Sequence, residues 1–366
     1  MIGQTIALLI DAYRDLNARK LFWVTMIISG VIIIAFAFVG VGPDSISFLG
    51  ASIPMHGVID PLIVYKQVLL GTIVIGIWLT WGAIILALVS TGGIFPDLIV
   101  SGAIDLYLSK PISRLRLFLT KYFTGLLFVA LQVTVFAVGC FFVMGIRAHE
   151  WRPSLFLAIP LVVAIFSYLF AFCVLLGVWS RSSIAAILLT VVLWLFFAIV
   201  QWTEPSLLLV QLGLEHSVKE AEQRIALAER QGESGNPFIR QMDKIDRNEL
   251  ETNKKNLSRW RLFHNIFYYT ELVIPKTTET KNLLDRSLMT ERDLAATRNM
   301  QQQQQRNGRG DAPGPFGASQ EDMQASAPEL QARLLARTPL QIIGSSLITE
   351  AVALAFAAWI FCRRDY

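Results

Sequence analysis

Six stretches of the chain are almost wholly apolar, at roughly 21–43, 67–95, 122–146, 154–179, 184–202 and 340–362. No charge occurs from Leu21 to Pro43 or from Gln67 to Pro96. About 20 such residues, rising about 1.5 Å each in a helix, cross a hydrocarbon layer of roughly 30 Å. The pattern predicts an all-α membrane protein with six transmembrane helices, the fifth near the lower length limit. Ahead of them, Ile6, Leu9, Tyr13 and Leu16 recur at helical spacing among Asp11, Arg14, Asp15 and Lys20. Residues 1–20 therefore read as an amphipathic helix lying on the cytoplasmic interface.

Between the fifth and sixth stretches lies a polar insertion, 203–338, in which basic and acidic residues balance. Much of it has helical periodicity. Val218, Ala221, Ile225 and Ala228 mark one stretch. Phe238, Met242 and Ile245 open a second, continued by Leu257, Trp260, Phe263 and Phe267. The run QGESGNP at 231–237 predicts a break between antiparallel helices, and Thr277 or Thr278 offers an N-cap for a third. Residues 301–320, rich in Gln, Gly and Pro, read as a disordered linker. The Arg309-Gly310-Asp311 tripeptide there and the Asn256-Leu257-Ser258 sequon are short enough to arise by chance.

Charge adds the orientation. Arg14, Arg19 and Lys20 precede the first apolar stretch, and Lys110, Arg114, Arg116 and Lys121 separate the second and third. Arg181 separates the fourth and fifth, and Arg363 and Arg364 follow the sixth. If the spans alternate, all fall on one side, opposed in the short loops by Lys66, Arg147 and Arg152 alone. The positive-inside rule places that side, with both termini, in the cytoplasm, and the insertion outside it. The net charge of +4 thus reflects topology and gives no reason to expect nucleic acid. The domain reading is 1–20 interfacial helix, 21–202 spans one to five, 203–338 extracytoplasmic helical domain, and 339–366 last span with a cytoplasmic C-terminus.

Candidate chemistry is sparse. The three cysteines form no Cys-x-x-Cys pair or Cys/His cluster, so no disulfide framework or metal site is expected. His56, His149, His216 and His264 all fall outside the spans, leaving no base beside a buried nucleophile. Met55-His56 supplies too few ligands for copper. No G-x-x-x-x-G-K-[ST] phosphate loop occurs, so nothing in this chain cradles ATP. Glu350, midway along the sixth stretch, is the exception: a carboxylate there costs about 2.5–3.5 kcal/mol on insertion scales. It either lines a transport pathway or is a structural residue satisfied by neighbours such as Ser345, Ser346 and Thr349.

The segment 97–121 is longer and more apolar than a membrane turn requires. Pro111 suits the first turn of a helix on which Ile112, Leu115, Leu119 and Tyr122 share a face. Lys110, Arg114 and Lys121 would stack along that helix. The run Gly102-Ala-Ile-Asp-Leu-Tyr-Leu-Ser-Lys-Pro-Ile-Ser-Arg114, followed by Lys121-Tyr122, resembles the signature of ABC-2-type exporter permeases. The chain has Ala103 where that family commonly has Thr, and its nearest upstream acid is Asp97. YYTELVIPKTTETKNLL is similar to a segment of permeases grouped with those named for multi-copper-enzyme maturation. The resemblance implies a plasma-membrane permease subunit that is not itself an enzyme and holds no cofactor. ATP and Mg would be bound by a partner ABC ATPase docking on 97–121, and a second permease copy or paralogue would complete the pathway. It implies ATPase-coupling roles for Asp97, Gly102, Asp105, Lys110, Pro111, Arg114, Lys121 and Arg181. Two other classes stay open: a membrane scaffold or sensor binding an extracytoplasmic protein partner, and a proton-coupled carrier using Glu350.

Overall fold

The computed structural model describes Ile10, Arg14 and residues 20–41, 45–48, 51–54, 65–100, 113–230, 237–288 and 320–364. The interfacial helix predicted over 1–20 and the linker at 301–320 lie almost entirely outside the described residues. Helix dominates what is described. In chain order come α1 (Lys20–Ala37), strands β1 (Val39–Val41), β2 (Ser45–Phe48) and β3 (Ala51–Pro54), and a wide π-type helix (Tyr65–Gly82). That helix continues into α2 (Ala83–Thr91), then α3 (Ile94–Val100), α4 (Arg114–Arg147), a 3₁₀ turn (Pro153–Leu157) and α5 (Ala158–Ser180). The remainder are α6 (Ser183–Arg230), α7 (Pro237–Val273), α8 (Thr277–Leu288), α9 (Gln320–Ala336) and α10 (Pro339–Arg363).

Among the described residues five stretches are long and apolar enough to cross a membrane: Ile73–Ile99, Arg114–Arg147, Pro153–Ser180, Ser183–Glu229 and Pro339–Arg363. The first predicted span is shorter than expected, its apolar helix covering only Phe22–Ala37. Val39-Gly40-Val41 favours an extended chain over a helix, and Pro43 could not continue one. The chain turns instead into a three-stranded antiparallel meander, β1-β2-β3, which the sequence reading did not foresee. Along the long helices one face is buried while the other shows apolar side chains outward, as with Phe123, Leu127, Val135, Phe142 and Ile146 of α4. Apolar side chains stable on an outer face mean hydrocarbon surroundings, and the chain is an all-α membrane-spanning protein.

The chain divides into two compact units, the first taking Met1–Leu195, Thr277–Leu294 and Ile343–Tyr366, the second Phe196–Lys276 and Ala295–Ile342. The first has an extensive apolar core in which α4 and α5 are central. Gly125 lets these two meet closely, since a Cβ there would stand 2.7 Å from the Phe170 ring. Phe170 in turn stacks on both Phe166 and Tyr122, each at 5.2 Å. Helix α8 belongs to this unit although its sequence lies in the polar insertion: Thr277, Thr280 and Leu284 form one buried face. The helix begins at Thr277, one of the two threonines at which the sequence predicted a helix start.

In the second unit α6 and α7 run antiparallel. Pairing Glu215 with Arg261, Glu222 with Lys254 and Glu229 with Arg247 steps up one helix and down the other. Such exposed pairs fix register more than they stabilise. Between the helices lie Val210, Leu214, Val218 and Leu257, packed by Leu250, Trp260 and Met323. Val218, Ala221 and Ile225 are buried as their spacing predicts. Helix α6 ends at Arg230 and α7 begins at Pro237, which agrees with a break around 231–237. The expected boundary at 203 is different: α6 runs unbroken through it, even though Pro205 cannot donate to the Gln201 carbonyl. Only its first 21 residues, Ser183–Thr203, are free of charge.

Candidate functional site

Gly102, Asp105, Lys110 and Pro111 lie outside the described residues. The flanks of that segment are described, and both anchor on the last turn of α10. Before it, Phe95 of α3 is buried with its ring 6.1 Å from Phe361. After it, Phe118 of α4 packs 5.6 Å from the same ring and 4.9 Å from Phe95. Asp97 lies in the first turn of α3, where a carboxylate complements the helix dipole.

Ser113 caps α4 by accepting from the Arg116 N–H. One residue on, the Arg114 guanidinium donates to the carbonyls of Cys362 at 3.3 Å and Arg364 at 2.8 Å. These carbonyls have no partner further along their own helix, so a cation satisfies both hydrogen bonding and dipole. Arg364 repeats the device on α5, donating to the Val178 carbonyl at 2.7 Å and that of Trp179 at 3.3 Å. Arg181 closes the turn between α5 and α6 in the left-handed region, φ 56°, its N–H bonding the Gly177 carbonyl. Lys121 is buried, at 7% exposure. Of the residues expected to share a face, Leu115 and Leu119 are exposed, whereas Tyr122 turns inward beside Leu117, Phe118 and Lys121; Ile112 lies outside the described residues. The helix expected beyond Pro111 is described from Arg114 onward, where it runs without a break into the third apolar stretch as the 34-residue α4.

Two turns into α4, Tyr122 reaches Glu350. The Tyr122 hydroxyl lies 2.7 Å from Glu350 Oε1 and 3.1 Å from the Ser167 carbonyl; Ser167 Oγ lies 2.9 Å from Oε2 and 2.8 Å from the Ala164 carbonyl. With the carboxylate ionised, both hydroxyls donate to it. With it protonated, its O–H donates to Ser167 Oγ, which donates onward to Ala164. Both arrangements satisfy the geometry without moving a heavy atom. Around them Tyr168, Thr280 and Ser346 are fully buried, Tyr168 without a well-aligned hydrogen bond from its hydroxyl. A polar cluster drawn from α4, α5, α8 and α10 thus surrounds Glu350. The expected neighbours contribute unequally: Ser346 is buried at 0% exposure, whereas Thr349 turns its hydroxyl to the Ser345 carbonyl.

The second unit has its own buried charge. Arg337 donates to Glu204 of α6 and Glu271 of α7, each at 3.1 Å, and His264 Nε2 stands 3.4 Å from the same Glu204 oxygen. Both carboxylates are nearly inaccessible, at 1% and 4% exposure. None of these four was singled out from sequence. The available signal was the inward spacing 257, 260, 264, 267, 271, which places His264 and Glu271 inside and Phe263 out.

Comparison with family models, curated proteins and solved structures finds no match to this chain.

Proposed function

We propose that the chain is the permease subunit of an ABC-2-type transporter, an exporter worked by a separate ATPase on the cytoplasmic side of the plasma membrane. The observation that carries this reading is that the described residues on either side of 101–112 both pack on the last turn of α10. Phe95 holds one flank of that segment to the last turn of α10, and Arg114 with Phe118 holds the other. A push on the segment would therefore move α3, α4 and α10 together, and Tyr122–Glu350 would carry it further along α10. A mechanical input point needs such stiff connections. The sequence of the segment supplies the resemblance, with Gly102, Asp105, Lys110 and Pro111 facing the ATPase. In this reading Arg114 and Lys121 build the platform and are not its contact surface. The extracytoplasmic insertion would cap or select cargo, and a second permease copy would complete the pathway.

The test is purification of the full chain from its native membrane in mild detergent. An ATPase bearing a phosphate loop should accompany it and be lost on Lys110→Glu. Arg114→Glu is unsuitable as that control, because it would break the contact with α10. If no ATPase accompanies the wild type under any mild condition, the reading fails.

A proton-coupled carrier is favoured by one observation, the ability of the Glu350 cluster to hold or release a proton without rearrangement. Transport driven by a proton gradient and abolished by Glu350→Gln would select it over the ATPase-driven reading.

A further inference from the structure

Three ligand-type side chains of the second unit meet where the start of α9 approaches α6. His216 and Glu220 stand one turn apart on α6 and share a face. Asp322 comes from the first turn of α9. His216 Nδ1 is 3.1 Å from Asp322 Oδ1 and 3.7 Å from Glu220 Oε1. All three donor atoms lie within 4.8 Å of one another.

The imidazole Nδ1 can hydrogen-bond only one of the two carboxylates that face it. An imidazole Nδ1 carries at most one hydrogen, even on the imidazolium. Asp322 takes it, which leaves Glu220 Oε1 aimed at the same nitrogen from 3.7 Å, beyond hydrogen-bond reach. The other Glu220 oxygen faces Arg224 at 3.9 Å, and that guanidinium is shared with Asp246 and Glu249 of α7. Two carboxylates thus converge on one ring nitrogen. A divalent ion at that point could take one ligand atom from each of the three side chains. Ligand atoms about 2.1 Å from such an ion stand roughly 3.0 Å apart at octahedral angles and roughly 3.4 Å at tetrahedral ones. The spacings of 3.1 and 3.7 Å are close to those edges.

We propose that His216, Glu220 and Asp322 form a binding site for one divalent transition-metal ion of the zinc class. One imidazole with two carboxylates suits zinc, whereas calcium and magnesium prefer all-oxygen sets. Three protein ligands leave room for water, and the half-exposed Glu220 and His216 side chains, 49% and 40%, give the ion a way in. Bound there, the ion ties the start of α9 to α6 and so fixes residues 320–336 within the second unit. The site is independent of the transport reading and of the Glu350 cluster.

The test is calorimetric titration of the full, chelator-stripped chain in detergent with zinc chloride alone, with hydrogen exchange followed in parallel. One saturable site per chain is expected. His216→Ala and Asp322→Asn should each weaken it by at least about tenfold, while Glu222→Gln, on the same helix but paired with Lys254, should leave it unchanged. Zinc should also slow exchange at 320–336 in the wild type and not in His216→Ala. Absence of saturable binding, or binding undiminished in the His216→Ala/Asp322→Asn double variant, overturns the proposal. If the variants prove unstable without metal, the wild type decides alone: zinc bound with no protection of 320–336 equally overturns it.

Discussion

Glu350 shows how a carboxylate survives among apolar helices. Its two oxygens receive the Tyr122 and Ser167 hydroxyls, and each hydroxyl has a second acceptor at hand in a backbone carbonyl. The two sides of this arrangement are therefore unequal. Remove the acid, and both hydroxyls turn to the carbonyls they already touch. Remove the hydroxyls, and the acid is left buried without donors, the expensive outcome for a polar group. Glu350→Gln should accordingly shift thermal stability in detergent very little, because the amide can still accept from Tyr122 and donate to Ser167. Tyr122→Phe combined with Ser167→Ala should destabilise by about 2–3 kcal/mol, at the upper end for hydrogen bonds between membrane helices and charged acceptors. Thermal unfolding followed by tryptophan fluorescence compares them directly. Should Glu350→Gln prove the more damaging, the carboxylate has a partner other than these hydroxyls.

At the scale of elements, arginines finish the helices. Arg114 holds the end of α10, Arg364 holds the end of α5, and Arg147 donates to the Ala37 carbonyl at the end of α1. Because Arg114 binds the carbonyl of Arg364 while Arg364 binds α5, these two form one chain of contacts. Arg114→Gln and Arg364→Gln should each cost about 1–2 kcal/mol, their double variant less than the sum, since either one loosens the same C-terminal turn. Paired with the more distant Arg147→Gln, Arg114→Gln should be additive. A double-mutant cycle on unfolding midpoints measures both, and equal coupling for the two pairs would mean the contacts do not act as a chain. This layer was half legible. The cations near 110–121 stand out in the sequence, but the targets of Arg114 among them are backbone carbonyls, which leave no trace in the side-chain pattern. The apolar stretches gave away the long helices because their composition alone satisfies hydrocarbon. They did not reveal which face of α4 turns inward, since Leu115 and Leu117 are equally apolar and only the packed core, which takes Leu117 and Phe118 and leaves Leu115 exposed, separates them. Helix α8 was hidden for the opposite reason: a polar helix earned no place in a membrane unit from its sequence, although Thr277, Thr280 and Leu284 bury one face there.

Across the whole molecule the two units are held by different physics. The first rests on a broad apolar core with a few buried polar groups. The second has a small apolar core and, beside it, Arg337 bridging Glu204 and Glu271 from two helices. A carboxylate pair at 1% and 4% exposure is stable only while its cation stays in place. Arg337→Met keeps an unbranched stem like that of arginine and removes the charged guanidinium, so it should destabilise by about 3–5 kcal/mol, the range for breaking a buried ion pair. The damage should stay local. Hydrogen exchange ought to quicken along 237–273 and 320–336 of the second unit while 114–180 of the first keeps its protection, because the Glu350 cluster and the Arg337 cluster belong to separate compact units. The triple variant Glu204→Gln, Glu271→Gln, Arg337→Met removes every charge together and should recover much of the lost protection. Exchange that quickens equally in both units would show that they unfold as one, and failure of the triple variant to recover would mean Arg337 acts through packing and not through its charge.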